Sequence, residues 1–194
     1  MLTLQEGVIQ KIDMPSGFEL NEETRGGMGM NWLRVYSPKG VDGVSISLFY
    51  RGAPELVEYA RVFRSLLKNP AVVFDDSDGP KDEGAQARVR SIQSCLGNAG
   101  NNQITNPEHS RFYLEKIQTI ELCGRPVMAV QGYFYGPDGQ VDNNYMGVFF
   151  DATPDDREAC RIEEIVFEAA NWDLFEQYFA EFQKTLNSVR WAKS

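Results

Sequence analysis

The side chains in this chain that could support nucleophilic or metal chemistry are one histidine and three cysteines. His109 is the only histidine, and the cysteines are Cys95, Cys123 and Cys160. A Cys–His pair can be assembled from residues that are distant in sequence, but no local catalytic motif surrounds any of these cysteines. A zinc site needs closely spaced ligand pairs, and none is present. We therefore predict a surface histidine, buried free thiols, no catalytic residue, no metal site and no cofactor.

Two short segments are similar to ligand-binding loops but lack essential parts of them. Asp75–Gly79 has the carboxylates of a calcium loop, yet aligning its glycine puts Phe74 and Ala85 where carboxylate ligands are required. The glycine-rich stretch Gly26–Gly29 lacks the following helix and the lysine of a phosphate-binding loop. We interpret the first segment as a solvated turn. The second is a hairpin tip or a loop that contacts a partner.

The best candidate for a binding site is a set of amide and aromatic side chains on two adjacent predicted strands. Asp142-Asn143-Asn144 begins one strand, and Tyr133 and Tyr135 end the preceding one. Such side chains can bind a ligand on an open sheet face, although antiparallel sheets commonly keep one face in water. The strand before them, with Glu115 and Glu121, extends the same face. The candidate binding residues are Tyr133, Tyr135, Asn143, Asn144 and Arg111.

Length and charge narrow the class of protein. The chain has 194 residues, with 42% hydrophobic and 24% charged side chains, which suits a single globular domain over residues 1–194. The net charge of −9 repels phosphate backbones and anionic lipids, so we expect neither nucleic acid nor membrane insertion. The cysteines are scattered and odd in number, and the N-terminus has no secretory signal pattern, which indicates a cytoplasmic protein.

The N-terminal half reads as strands followed by one helix. Extended signals near residues 8–12 and 17–20 precede a predicted hairpin formed by Asn31–Tyr36 and Val44–Tyr50. An apolar stripe at helical spacing then predicts a helix from Pro54, which suits a first helical position, to Lys68 before Asn69-Pro70. A short strand is expected at 71–74.

Residues 75–110 read as an insertion or loop region. Within it, residues 80–96 fit a helix, but the same residues also allow a strand, and residues 97–107 are a loop by composition.

The C-terminal half has the sharpest pattern. Four antiparallel strands are predicted after residue 111, with a bulge or bend near Gln118 where the alternation changes phase. An amphipathic helix, Asn171 to Ser188, follows, with Asn171 as its N-cap. The fold class is therefore α+β, an antiparallel sheet of about six strands flanked by helices. The apolar side of the last helix is predicted to be core.

The order of these elements resembles the PsbP-like fold. Trp32 and the alternating Val44–Phe49 lie in the early strand pair, and the final helix runs into Asn187-Ser188-Val189-Arg190-Trp191. That fold is shared by a photosystem II extrinsic subunit, a Ran-binding nuclear import factor and bacterial proteins of unknown role. The chain departs from it by having no targeting segment and by the insertion. The resemblance implies protein binding rather than catalysis, and it transfers no catalytic residue.

Three functions remain open from the sequence. The first is a non-enzymatic protein-binding or assembly module that uses a sheet face or loops. The second is a small-molecule binder or enzyme with a pocket between sheet and helix, near Tyr133, Tyr135 and Asn143. The third is an acidic, dimeric, secretion-type chaperone. In each case the site is expected on the sheet face away from the last helix or in the loops, and the oligomeric state stays open.

Overall fold

The computed structural model of the chain describes residues 2–25, 32–52, 57–68, 72–75, 112–136, 138–153 and 161–192. This part of the chain contains eleven strands and two helices. The strands are β1 (Leu2–Glu6), β2 (Ile9–Met14), β3 (Phe18–Arg25), β4 (Trp32–Pro38), β5 (Val44–Gly52), β6 (Val72–Asp75), β7 (Phe112–Leu122), β8 (Arg125–Tyr135), β9 (Val141–Asp151), β10 (Ile162–Ala169) and β11 (Arg190–Trp191). The helices are α1 (Val57–Lys68) and α2 (Trp172–Asn187).

Eight of the described strands form one large antiparallel sheet in the order β3-β4-β5-β10-β9-β8-β7-β6. The predicted early hairpin is present as β4 and β5, and the predicted C-terminal meander is present as β7 to β10. The expected bulge lies between Leu114 and Lys116, slightly before Gln118. The large sheet has eight strands where about six were predicted, because the early strand β3 pairs with β4 at one edge and the short strand predicted at 71–74, present as β6, pairs with β7 at the other.

A second sheet, absent from the sequence-based prediction, joins the two ends of the chain. It has the order β1-β2-β11. Gly7, with φ +52°, turns the chain between β1 and β2, and Arg190 and Trp191 of β11 pair with Lys11 and Ile9 of β2. A strand of two residues is too short to show an alternating pattern in the sequence. Its pairing with β2 depends on where the C-terminal end of α2 places the following residues.

The C-terminal helix α2 contacts both sheets, through β5 and β10 of the large sheet and β2 of the small one. The side chain of Asn171 caps it by accepting a 2.9 Å hydrogen bond from the N–H of Leu174, as predicted. Phe167 on β10 packs against Phe175 and Phe182 at ring-centroid distances of 5.1 and 5.2 Å. Each such buried ring contributes about 1.5–3 kcal/mol, so this face of α2 is core, as the sequence indicates.

Helix α1 packs on the opposite face of the large sheet, against β7 and β8. Its buried residues Phe63 and Leu67 join Ile117, Met128 and Val130 in a second core cluster. The two helices therefore flank the large sheet, as predicted. The predicted start of α1 at Pro54 lies outside the described residues.

The prediction of buried thiols is wrong for Cys123, which is exposed. Leu122 pairs with Arg125, so only Cys123 and Gly124 form the turn between β7 and β8. Both have positive φ values, +50° and +81°, as tight hairpin turns require. The Sγ of Cys123 donates weak hydrogen bonds to the carbonyls of Leu186 and Asn187, at 3.7 and 3.6 Å. Cys95, Cys160, His109, the glycine-rich stretch and the helix-or-strand segment 80–96 lie outside the described residues.

Candidate functional site

The predicted site residues Tyr133 and Tyr135 lie on the sheet face that carries α2, which corrects their expected location on the other face. Side chains alternate along a strand, and Val127 of the same strand is in the core cluster that contains α2. Tyr133 and Tyr135 share the orientation of Val127. The two tyrosines lie near the C-terminal end of β8. They pair with Asn144 and Val141, near the start of β9.

A third tyrosine completes a surface cluster on this face. Tyr113 of β7 is directly opposite Tyr133, and their rings stack with a centroid distance of 4.9 Å and an interplanar angle of 19°. The ring of Tyr135 meets that of Tyr133 edge-on at 5.1 Å, and its hydroxyl donates a 3.2 Å hydrogen bond to the hydroxyl oxygen of Tyr133. Tyr113 keeps 37% of its surface exposed.

Polar and apolar neighbours extend the cluster. Gln131 Nε2 donates a 3.2 Å hydrogen bond to Glu115 Oε2 beside the rings, and Val141, 45% exposed, pairs with Tyr135 on the same face. The name tyrosine surface is used below for this set: Tyr113, Glu115, Gln131, Tyr133, Tyr135 and Val141.

Electrostatics at the tyrosine surface favour neutral rings and a negative rim. Burial raises the pKa of Tyr133 above its usual value, and its hydrogen bond with Tyr135 and the nearby Glu115 carboxylate act in the same direction. The Tyr133 hydroxyl is therefore protonated at neutral pH. The carboxylate of Glu115 lies beside the rings and favours cations over anions. Lys116, which is opposite Gln131, forms an ion pair with Asp75 at 3.2 Å.

Sequence reasoning missed Tyr113 although a signal for it was present. Counting outward from the turn at Cys123-Gly124 pairs the residues of β7 and β8, and the bulge after Leu114 shifts that pairing by one residue. Tyr113 then falls opposite Tyr133. The change of phase in the apolar alternation of β7 is the sequence signal for this bulge, and hence for the alignment of the two strands.

The remaining predicted site residues do not converge on the tyrosine surface. Asn144 shares the face of Tyr133, but it is buried and its Nδ2 donates a 3.4 Å hydrogen bond to the carbonyl of Ala169. Asn143 pairs with Phe134 and so lies on the opposite face. Arg111 lies outside the described residues. Of the predicted extensions, Glu115 belongs to the surface, whereas alternation places Glu121 on the other face.

The opposite face contains a buried acid that sequence reasoning also missed. Glu164 of β10 is 1% exposed, and the hydroxyl of Tyr145 on β9 donates a hydrogen bond to its Oε1. Gly147 makes room for this contact, because a Cβ there would overlap both side chains. The alternation of β10 breaks at Glu163-Glu164, and that break in an otherwise apolar strand was the available signal.

A cluster of charged side chains at the other end of the sheet holds several elements of the fold together. Arg125 lies over the ring of Trp191 at 5.0 Å and donates a 2.5 Å hydrogen bond to the carbonyl of Asp151. Arg64 of α1 donates to the Asp151 carboxylate at 2.7 Å. Burial lowers the pKa of Arg125, opposed by the charges of Asp151 and Glu163. These contacts join α1, both sheets and the β8 and β9 ends.

Neither metal binding nor a membrane span is indicated in the described ranges. No three His, Cys, Asp or Glu side chains converge there as metal ligands do. Among the described helices, none combines the length and the apolar character needed to cross a membrane.

Comparison with known proteins gives no assignment. No protein-family model matches the chain, and no curated protein matches its sequence.

Proposed function

We propose that this protein is a non-enzymatic binding module that holds a protein partner on its tyrosine surface. The observation that carries the proposal is the packed, partly exposed set of three tyrosines on two adjacent strands. Tyrosine is enriched at protein interfaces because its ring gives apolar contact while its hydroxyl remains compatible with water.

The rigidity of the cluster favours binding. Tyr133 is held between the stacked Tyr113 ring and the edge of Tyr135, so little side-chain entropy remains to be lost when a partner docks. Rigid aromatic side chains of this kind supply contact area at low entropic cost. Val141 adds an exposed apolar contact beside them.

The negative charge of the protein favours a positively charged partner segment. Glu115 lies at the rim of the rings, and the chain carries a net charge of −9. A partner segment that presents arginine fits both features, because guanidinium groups stack on tyrosine faces and pair with carboxylates.

Kinship with the PsbP-like fold is part of the proposal. It is supported by the order of elements, an early hairpin, a helix, a four-stranded meander and a closing helix, and by Trp191, whose ring packs on Phe150 at 5.0 Å. A cytoplasmic location is proposed as well, because Cys123 is an exposed free thiol of the kind that a reducing compartment preserves.

Peptide selection tests the proposal directly. A random peptide library is panned on the immobilised protein, and the enriched peptides are measured by fluorescence anisotropy against wild type, Tyr113→Ala and Tyr135→Ala. We expect arginine-containing peptides whose affinity falls by at least about tenfold in both variants, as loss of an interface anchor does.

The matched control is Trp172→Ala, which removes an aromatic side chain that is 51% exposed on α2 and should leave the affinity unchanged. Circular dichroism checks that each variant folds. Enriched peptides that bind the tyrosine variants as well as wild type would contradict the proposal, as would a selection that enriches acidic peptides.

A further inference from the structure

The large sheet carries a cleft on the face opposite the tyrosine surface. Its volume is about 410 Å³, and residues of β3, β4, β5, β8, β9 and β10 line it. Two of them, Tyr145 and Val166, also belong to the core cluster of α1. Small-molecule sites have volumes in this range and combine apolar walls with a few polar groups that orient the ligand. The polar groups of the cleft therefore decide what ligand it takes.

Apolar side chains form most of the floor and the walls of the cleft. Val35, Ser47 and Val166 are cross-strand neighbours on β4, β5 and β10. Ser47 and Val166 are each 5% exposed, so this row is the floor. The walls are formed by aromatic and aliphatic side chains, namely Leu33, Phe49, Phe134 and Tyr145. The body of a ligand would therefore contact apolar surface.

The acidic and phenolic groups at the cleft are already engaged. Glu22 and Glu168 line it, and both take part in polar interactions of their own. The hydroxyl of Tyr145 donates a hydrogen bond to the buried Glu164, so Tyr145 contributes its ring to the lining. A cation would have to compete with the existing interactions of the two carboxylates. An anion would be repelled by them, and none of the described lining residues is Lys, Arg or His.

Two serine hydroxyls of β5 are the polar groups available to a ligand. Ser45 and Ser47 both line the cleft, and they lie on the same face because they are two residues apart on one strand. Within the described part of the chain, neither side chain forms a hydrogen bond. A nearly buried hydroxyl without a partner, such as that of Ser47, costs free energy that an acceptor on a ligand recovers.

We infer that this cleft binds a neutral, largely apolar small molecule that carries a carbonyl group. The carbonyl oxygen accepts a hydrogen bond from Ser47, and Ser45, about 7 Å away along the strand, binds a second polar group where the ligand has one. The apolar body lies over Val35 and Val166, between the aromatic walls. This site goes beyond the proposed protein-binding function and does not depend on it, because the two lie on opposite faces of the sheet.

Saturation-transfer NMR titration with probes of similar size tests the inference. The probes are benzylacetone, which is a neutral ketone, phenylbutylamine, which is a cation, and phenylbutyrate, which is an anion. We expect saturable binding of the ketone, with an affinity at least about tenfold higher than that of either charged probe. The reason is that a charged group loses water in the cleft without gaining a compensating partner.

Serine variants identify the hydrogen-bond donor. Ser47→Ala removes the hydroxyl with little change in shape, and the affinity for benzylacetone should fall about three- to tenfold, as loss of one neutral hydrogen bond predicts. The affinity for propylbenzene, which has no carbonyl group, should not fall. The matched control Ser16→Ala, at an exposed position between β2 and β3, should leave both affinities unchanged.

Two further variants locate the ligand. Val35→Trp fills the floor of the cleft while leaving both serine hydroxyls in place, and it should abolish ketone binding. Tyr113→Ala should leave ketone binding unchanged, which separates this site from the tyrosine surface. Circular dichroism checks that each variant folds.

Four results would overturn the inference. Benzylacetone could bind no more tightly than the charged probes, or the folded wild-type protein could fail to bind it. Its affinity could also be undiminished in the double variant Ser45→Ala/Ser47→Ala. Finally, an equal loss of affinity for propylbenzene in Ser47→Ala would show a change in the shape of the cleft and not the loss of a donor.

Discussion

The indole Nε1 of Trp191 donates a 2.8 Å hydrogen bond to the carbonyl of Leu122. This contact joins the last strand of the small sheet to the hairpin of β7 and β8 in the large sheet. The same ring packs on Phe150 and under the guanidinium of Arg125. The C-terminal strand β11 therefore ties the two sheets together through Trp191.

Replacing this indole should cost stability. Trp191→Phe retains a ring over Phe150 but removes the donor to Leu122, and we expect the free energy of unfolding to fall by about 1–3 kcal/mol. Urea unfolding followed by circular dichroism measures it. The control Trp172→Phe makes the same substitution at a position that is 51% exposed. Its free energy of unfolding should stay within about 0.5 kcal/mol of that of the wild type. Equal effects of both substitutions would contradict a closing role for Trp191.

The buried acid on β10 should depend on its tyrosine. In Tyr145→Phe the carboxylate of Glu164, 1% exposed, loses a hydrogen-bond donor, and we expect a loss of about 1–3 kcal/mol in the free energy of unfolding. The control Tyr113→Phe lies at an exposed position and should change stability little. A double-mutant cycle with Glu164→Gln should give a coupling of at least about 0.5 kcal/mol, and strict additivity would show that the contact is energetically silent.

The tyrosine surface should make stability sensitive to alkaline pH. The pKa of Tyr133 is raised in the folded protein, first by burial and then by Tyr135, so the folded state retains its proton when the unfolded chain loses it near pH 10. The free energy of unfolding is fully retained below that pH and falls as the pH rises further. Tyr133→Phe should reduce this alkaline slope in urea unfolding measured over a pH series. If the free energy of unfolding of Tyr133→Phe fell with pH as steeply as that of the wild type, Tyr133 would not be the cause of the alkaline dependence.

The N-cap of α2 offers a local test of helix stability. Asn171→Ala leaves the N–H of Leu174 without its side-chain acceptor at 2.9 Å, and we expect a loss of about 1 kcal/mol in the free energy of unfolding. Asn171→Asp keeps an acceptor and adds a negative charge at the helix N-terminus, where the dipole favours it, so it should retain wild-type stability. Thermal unfolding of both variants compares them. An alanine variant as stable as the aspartate variant would contradict the capping role.

Much of the architecture was predictable because local chemistry determined it. The hairpin of β4 and β5, the meander from β7 to β10 and the two helices each follow from periodic apolar residues and from turn residues such as Gly124 and Gly139, both of which have positive φ. The N-cap at Asn171 follows in the same way, from one side chain and the N–H groups next to it.

The candidate site was only partly predictable, because it depends on strand register. Tyr133 and Asn143 lie on adjacent predicted strands, but alternation places them on opposite faces of the sheet. Asn144 is on the same face as Tyr133, but its side-chain amide already donates a hydrogen bond to the carbonyl of Ala169. The position of one bulge brings Tyr113 opposite Tyr133, and a single residue of error would have moved it away.

By itself, the sequence determined an acidic α+β protein whose closing helix buries an aromatic stripe, since composition and periodicity are properties of the chain alone. Only the tertiary structure decided that β11 returns to β2, that Cys123 is exposed, and that Tyr133 and Asn143 lie on opposite faces of the large sheet. Those outcomes depend on pairing between residues far apart in the chain, as between Lys11 and Arg190. Such pairing is set by how all the elements pack together, and no local pattern encodes it.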